Sequence, residues 1–212
     1  MKYAITIALF LASILFQPAF GQISLKFSAG LNRSNCKFGP FAVITQKART
    51  GYFFGLTPAY QINHTVHVQM GFQYSQKGYR IEAQKTYPPF EYRYTYLDIL
   101  PEIDFSLLKS VSLGIGVNYG IKLNEQVKND NGEWLHPYLI ETIRSTDFGL
   151  TGKLEVNHKS IFGFIRYNIG VINISNNIEI RDISGKKIGL LKQLNRNLQI
   201  GVGYKLDFKK KK

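Results

Sequence analysis

Hydrophobic and polar residues alternate with a period of two along most of the chain, most clearly in the stretch SVSLGIGVNYGIKLN. Every second residue from Val111 to Leu123 is apolar or aromatic, and the residues between them are glycine, serine, asparagine and lysine. Successive side chains of an extended chain point to opposite faces, so this pattern predicts a β-strand with one oily and one polar face. Helical periodicity is nearly absent, and the chain is therefore predicted to be all-β.

Eight segments carry this alternation, and we predict a strand in each of them. They span about 22–32, 51–62, 65–76, 93–105, 110–124, 146–156, 161–171 and 197–208. The seventh segment is ambiguous because Ile161, Phe162, Phe164 and Ile165 place apolar residues on both faces. The connections alternate between tight turns and long links, a layout typical of outer-membrane barrels with short periplasmic turns and long extracellular loops.

The polar face indicates where the oily face points. A soluble lipocalin-like barrel would turn its apolar side chains inward, whereas a membrane barrel turns them toward lipid. The polar face carries Gly114, Gly116, Gly120, Gly201 and Gly203. Glycine weakens an exposed strand but suits the crowded interior of a narrow barrel. We therefore predict an eight-stranded antiparallel up-and-down transmembrane β-barrel in the cell outer membrane, with a periplasmic lipocalin-like carrier of an apolar ligand as the alternative.

The first residues, MKYAITIALFLASILFQPAFGQ, have the features of a secretory signal peptide. Lys2 supplies a positive charge, an apolar run follows, and small residues at Ala19 and Gly21 favour cleavage between Gly21 and Gln22. The apolar run is shorter than the roughly 20 residues that a membrane-spanning helix needs. The predicted organisation is a signal peptide over 1–21, an outer-membrane barrel over 22–208 and a basic tail over 209–212.

The formal net charge of +13 raises the question of a polyanionic partner. The basic residues are scattered and the chain carries an export signal, so we expect lipid headgroups and no nucleic acid. Cys36 is the only cysteine, which excludes an intrachain disulfide and a cysteine-based zinc site. The four histidines do not stand at metal-ligand spacing, and neither a metal nor a cofactor is expected.

Alternation also places a set of charged residues on the interior face of the predicted barrel. They are Lys26, Asp98, Glu102, Asp104, Lys122, Asp147, Lys153, Glu155 and Arg166. A lone buried charge is costly, so we interpret the set as a structural network of ion pairs that plugs the lumen. Asp98 and Arg166 are expected to meet across the lumen. A proton or ion path is the alternative interpretation.

Catalytic residues are not predicted, and the chain is expected not to be an enzyme. A membrane-embedded hydrolase or acyltransferase using His136 with Asp130 and Ser145 is conceivable, but no GxSxG motif supports it. The long links are interpreted as solvated loops near anionic headgroups or as a protein-binding rim. In the second case Trp134 or the segment 88–90 would anchor the partner, since aromatic residues are enriched in interface hot spots.

An ordered series of segments resembles the PorT-like outer-membrane β-barrel family. The segments are FSAGLNRSN (27–35), GFQYSQKGYRIE (71–82), YTYLDILPEI (94–103), TDFGLTGKLEV (146–156) and IRYNIGVINI (165–174). The resemblance implies an eight-stranded outer-membrane barrel, and the family's founding member is associated with a protein-secretion machinery. Secretion-machinery or other envelope proteins are therefore expected partners. Two departures stand out: the Leu100–Pro101 step predicts a bulge, and four lysines follow Phe208 where such barrels commonly end on an aromatic residue.

Overall fold

The computed structural model describes residues 23–39, 46–82, 89–128, 132–136, 143–176, 178–181 and 184–208. The predicted signal peptide, its cleavage point between Gly21 and Gln22, and the basic tail 209–212 lie outside the described residues. Within these ranges no helix is long and apolar enough to cross a membrane.

Eight long strands form one closed antiparallel sheet, which confirms the predicted fold class. They are β1 (Ile23–Phe38), β2 (Gln46–Gln61), β3 (Val66–Ile81), β4 (Phe90–Leu108), β5 (Val111–Lys128), β6 (Thr146–His158), β7 (Ile161–Gly170) and β8 (Gln193–Phe208). Each strand pairs with the next, and β8 pairs with β1 to close the barrel. Short strands in the long links span Trp134–Leu135, Glu179–Arg181 and Lys187–Leu190.

The oily face of the barrel points outward. Ile115 and Val202 are 61% and 65% exposed, and the other strands present comparable aliphatic and aromatic residues on the same face. The buried positions of the strands are instead dominated by polar and charged side chains. The lipocalin-like alternative is therefore wrong, because it required an apolar interior. In β7, Phe162 and Phe164 point inward and Ile161 and Ile165 outward, which resolves the ambiguity of that segment.

Several strands continue beyond their predicted ends at the side of the long loops. β1 runs to Phe38, β2 begins at Gln46 and β8 begins at Gln193. Inside this extension lies a small apolar core, which we call the loop-end core; its buried members are Cys36, Tyr79, Tyr94, Tyr96, Ile143 and Ile174. Ile143 comes from the β5–β6 link and Ile174 from the β7–β8 link, so a described residue of each link packs into the barrel at this end.

The predicted bulge at Leu100–Pro101 is wrong. The β3–β4 register passes through Met70 opposite Pro101 without a shift, and β4–β5 keeps one register on both sides of this step. Leu100 is an apolar residue on the inward face, where it packs beside Gly71. Leu100 and Pro101 are adjacent apolar residues because Leu100 faces the lumen, and not because the strand contains an extra residue.

Candidate functional site

Three acidic residues of β4 project into the lumen opposite three glycines of β5. The register pairs Asp98 with Gly120, Glu102 with Gly116 and Asp104 with Gly114. A Cβ atom at position 116 would lie 2.8 Å from Cγ of Glu102, and one at position 120 would lie 2.8 Å from Oδ1 of Asp98. The glycines of β5 therefore leave the space that the acidic side chains of β4 occupy.

The charges near the short turns form the turn-end cluster, which comprises Lys26, Glu102, Asp104, Lys153, Glu155 and Arg166. The Arg166 guanidinium makes a bidentate contact with Glu102, with Nε 2.8 Å from Oε1 and Nη2 3.0 Å from Oε2. Lys153 Nζ lies 2.8 Å from Asp104 and 3.1 Å from Glu155. Lys26 Nζ donates to Glu155 at 2.7 Å. Among the described residues the cluster contains three cations and three carboxylates, so its formal charges cancel.

A second group, the mid-lumen cluster, consists of Lys77, Asp98 and Asp147. Lys77 Nζ lies 2.8 Å from Asp98 and 3.5 Å from Asp147. Ser75 and Asn118 donate further hydrogen bonds to Asp98. The expected contact between Asp98 and Arg166 is therefore wrong: each has its own partner in a different cluster.

Sequence reasoning missed Lys77 because the third strand was predicted to end at 76. The alternation of Ser75, Lys77 and Tyr79 continues the inward face by two more steps, and this was the available signal. Lys122 belongs to neither cluster. Its Nζ contacts Glu125 at 2.9 Å and the carbonyl oxygen of Ile143 at 2.9 Å, closer to the loops.

Opposite the charges, three phenylalanines pack inside the barrel against a glycine-lined wall. They are Phe53 of β2 with Phe162 and Phe164 of β7. A Cβ atom at Gly201 would lie 2.6 Å from Phe53 and 2.8 Å from Phe164, so this position in β8 requires glycine. The rings also contact cations of the turn-end cluster, since Arg166 lies 5.0 Å from the Phe164 ring centroid.

At the loop end, Trp134 lies among cations. The guanidinium carbons of Arg93 and Arg49 are 4.1 Å and 5.5 Å from its ring centroid, and Lys128 Nζ is 5.9 Å away. Arg49 also pairs with Glu91 at 2.9 Å. We call Trp134 and the three cations around it, Arg49, Arg93 and Lys128, the cationic rim. Of the other suggested anchors and catalytic candidates, Pro88 and Asp130 lie outside the described residues.

Residues 17–176 match the model of a family described as the outer membrane protein beta-barrel domain. The chain belongs to this family. It is accordingly an outer-membrane β-barrel protein whose apolar outer face lies in the lipid bilayer, as the alternation predicted. No curated protein matches the chain at a significant level.

Solved structures of other outer-membrane proteins resemble this family member in shape. Ail of Yersinia pestis, solved with the heparin analogue sucrose octasulfate, is 16% identical, with 87% of this chain and 99% of Ail covered and a TM-score of 0.49. Neisserial surface protein A is 13% identical over 87% of this chain and 97% of its own, also with a TM-score of 0.49. OprG of Pseudomonas aeruginosa is 16% identical over 89% and 96%, with a TM-score of 0.44.

The chemistry of the lumen is that of paired charges. Among the described residues, no group of three or more His, Cys, Asp or Glu side chains could hold a metal ion. His136 and Ser145, two members of the conceivable catalytic set, are exposed in the β5–β6 link. In the β7–β8 link, hydrogen bonds from Lys187 and Arg181 hold the pKa of Glu179 below its usual range.

Proposed function

We propose that this outer-membrane barrel is a non-enzymatic, non-conducting scaffold that acts through its two ends within a secretion or other envelope complex. The observation that carries the proposal is the filled lumen. Where the turn-end cluster meets the inward phenylalanines, the remaining cavity has a volume of about 10 Å³. Such a space holds at most about one water molecule, so the barrel offers no continuous aqueous path there.

The lumen widens on the side of the turn-end cluster that faces the short turns. A vestibule of about 500 Å³ lies at the turn end and is lined by Lys26, His67 and Asp104 among others. Above the cluster, Lys77 and its two carboxylates and then the loop-end core occupy the interior. Transport through the barrel would require all of these layers to rearrange, which favours a role at the ends.

Both ends present side chains suited to protein contacts. The last two residues of β4, Leu107 and Leu108, lie directly before the tight turn to β5 and are 59% and 68% exposed. At the opposite end the cationic rim presents Trp134, a residue type enriched in interface hot spots. The resemblance to the PorT-like family supports a secretion or envelope complex as the setting.

The proposal is tested by combining a conductance measurement with site-specific photo-crosslinking. The purified full chain is inserted into planar bilayers, and a photo-crosslinking amino acid is placed in cells at Leu108, at Leu135 or at lipid-facing Leu150. We expect no conductance steps, and crosslinks to identified envelope proteins from one or both ends but not from position 150. Reproducible conductance steps, or protein crosslinks at neither end, would contradict the scaffold role.

A further inference from the structure

A basic surface lies on the outer face of β1 and β8, near the long loops. Arg33 stands between the buried Asn32 and Ser34, and Arg196 stands between the buried Asn195 and Asn197, so both arginines point away from the lumen. Lys37 follows on the same outer face of β1. None of these three cations has an ion pair with any described residue.

The strand register places the two arginines side by side. Arg33 is opposite Leu198, and Arg196 is opposite Asn35, two positions further along the adjacent strand. Diagonal neighbours of this kind are within reach of long side chains. β1 contains no acidic residue, and the single acid of β8, Asp207, lies at the other end of the strand. The surface is therefore positive without a local counter-charge from either strand.

The apolar band of the barrel begins directly below this surface. Leu31 and Ile200 are opposite each other and exposed, one alternation step below Arg33. Tyr52 is the partner of Leu31 in β2, and Tyr167 is the partner of Leu198 in β7. Tyrosines in outer-facing rows mark the membrane–water interface. The arginines are thus at the level of lipid headgroups.

A shallow apolar groove of about 810 Å³ continues down the same wall. Ala29 and Val202, which are opposite each other, form its floor, and Phe27, Phe54 and Tyr204 stand beside it. Ala29 lies on the same face and strand as Arg33, four residues away, or about 13 Å at the usual rise of a strand. A headgroup held at Arg33 would therefore place an acyl chain over the groove.

We propose that Arg33 and Arg196, with Lys37, bind the phosphate of an anionic lipid in the outer leaflet, with an acyl chain of that lipid in the groove over Ala29. Guanidinium groups bind phosphate through charge-assisted, often bidentate hydrogen bonds, and basic pockets beside an apolar wall suit anionic headgroups. The site is independent of the scaffold role, since it uses the lipid-facing wall and neither end of the barrel.

The test is native mass spectrometry of the purified full chain in detergent with either phosphatidylglycerol or phosphatidylcholine added. The double variant Arg33→Gln/Arg196→Gln is compared with Arg181→Gln/Lys187→Gln, which removes the same number of cations from the exposed hairpin in the β7–β8 link. We expect phosphatidylglycerol to be retained by wild type and the hairpin variant, and retained at least about tenfold more weakly by the Arg33/Arg196 variant.

A second variant, Ala29→Phe, fills the floor of the groove without changing charge, and we expect it to weaken phosphatidylglycerol retention as well. Heat-dependent gel mobility verifies that each variant is folded. Equal retention of the two lipids by wild type, or an equal loss in the hairpin variant, would overturn the proposal. Complete displacement of the lipid by millimolar inorganic phosphate would also overturn it, because it would indicate an anion site to which the acyl groove contributes nothing.

Discussion

The contact between Arg166 and Glu102 allows a quantitative test of whether the charges hold the lumen together. Removing one partner of a buried ion pair costs about 3–5 kcal/mol, because the other charge stays buried without compensation. After Arg166→Met, Glu102 would still contact Lys153 at 3.4 Å and accept a hydrogen bond from Gln69 at 2.6 Å. We therefore expect the loss of stability to be near the lower end of that range, about 3 kcal/mol.

The second step is a double-mutant cycle with Glu102→Gln. This change leaves the Arg166 guanidinium with the neutral acceptors Gln73 and Gln199, at 3.3 Å and 3.2 Å. We expect a loss similar to that of Arg166→Met. The double variant should lose less than the sum of the two by roughly 2 kcal/mol, because neither charge is then left without its partner.

Stability is measured by urea titration of the barrel folded in lipid vesicles. Trp134 is the only tryptophan, so its fluorescence reports on one site at the loop end, and gel mobility without heating reports independently on the closed barrel. Lys187→Met is the matched control, because it removes a cation from an exposed contact with Glu179, and exposed pairs contribute little. If both single variants match this control, or if their effects simply add, the charges are screened and the structural interpretation of the network is refuted.

Three further predictions use the same urea titration. Gly201→Ala should destabilise the barrel by about 1–3 kcal/mol, because its Cβ would overlap two phenylalanine rings. The control is Gly152→Ala, which should not destabilise the barrel because nothing lies within 4 Å of the added Cβ. Equal losses in the two variants would contradict the packing argument. Leu150→Arg should cost about 2–4 kcal/mol if the outer face is in lipid, whereas Leu190→Arg in the β7–β8 link should have little effect; an unaffected Leu150→Arg barrel would refute the face assignment. Pro101 has no backbone N–H, and at this position β4 has no paired residue in β5. Pro101→Val supplies an N–H that can donate a hydrogen bond to β5, so stability should rise by up to about 1 kcal/mol. A decrease in stability would contradict this reasoning.

Alternation allowed the barrel to be predicted because lipid and lumen impose opposite demands on successive residues. Where lipid contact ends, that demand disappears. The outer face of β1 changes from Leu31 to Arg33 and Lys37 while the strand continues to Phe38, so the oily pattern stops before the strand does. The missed extension therefore coincides with the part of the strand that lies above the apolar band.

The alternation along each strand predicted which charged residues face the lumen, but it could not predict which of them form ion pairs with each other. Parity specifies that Asp98 and Arg166 face the lumen, whereas their partners depend on the height of each residue along tilted strands and on the register between strands. Lys77 decides the matter: it contacts Asp98 from the neighbouring strand β3, and its omission from the predicted set left Arg166 as an apparent partner. Because the predicted third strand ended at 76 and β3 continues to Ile81, Lys77 was left out and the predicted partners of Asp98 and Arg166 were wrong.

The charged half of the lumen and the half that contains the three phenylalanines are filled in the same way. A long side chain from one strand requires a glycine on the strand beside it or across from it, as with Glu102 against Gly116 and Phe164 against Gly201. Arg166 joins the halves, because its guanidinium pairs with Glu102 while it contacts the Phe164 ring. Movement of either half would therefore break contacts of the other, so opening the lumen means losing buried ion pairs and aromatic packing together. An interior built in this way resists opening, as the proposed scaffold role requires.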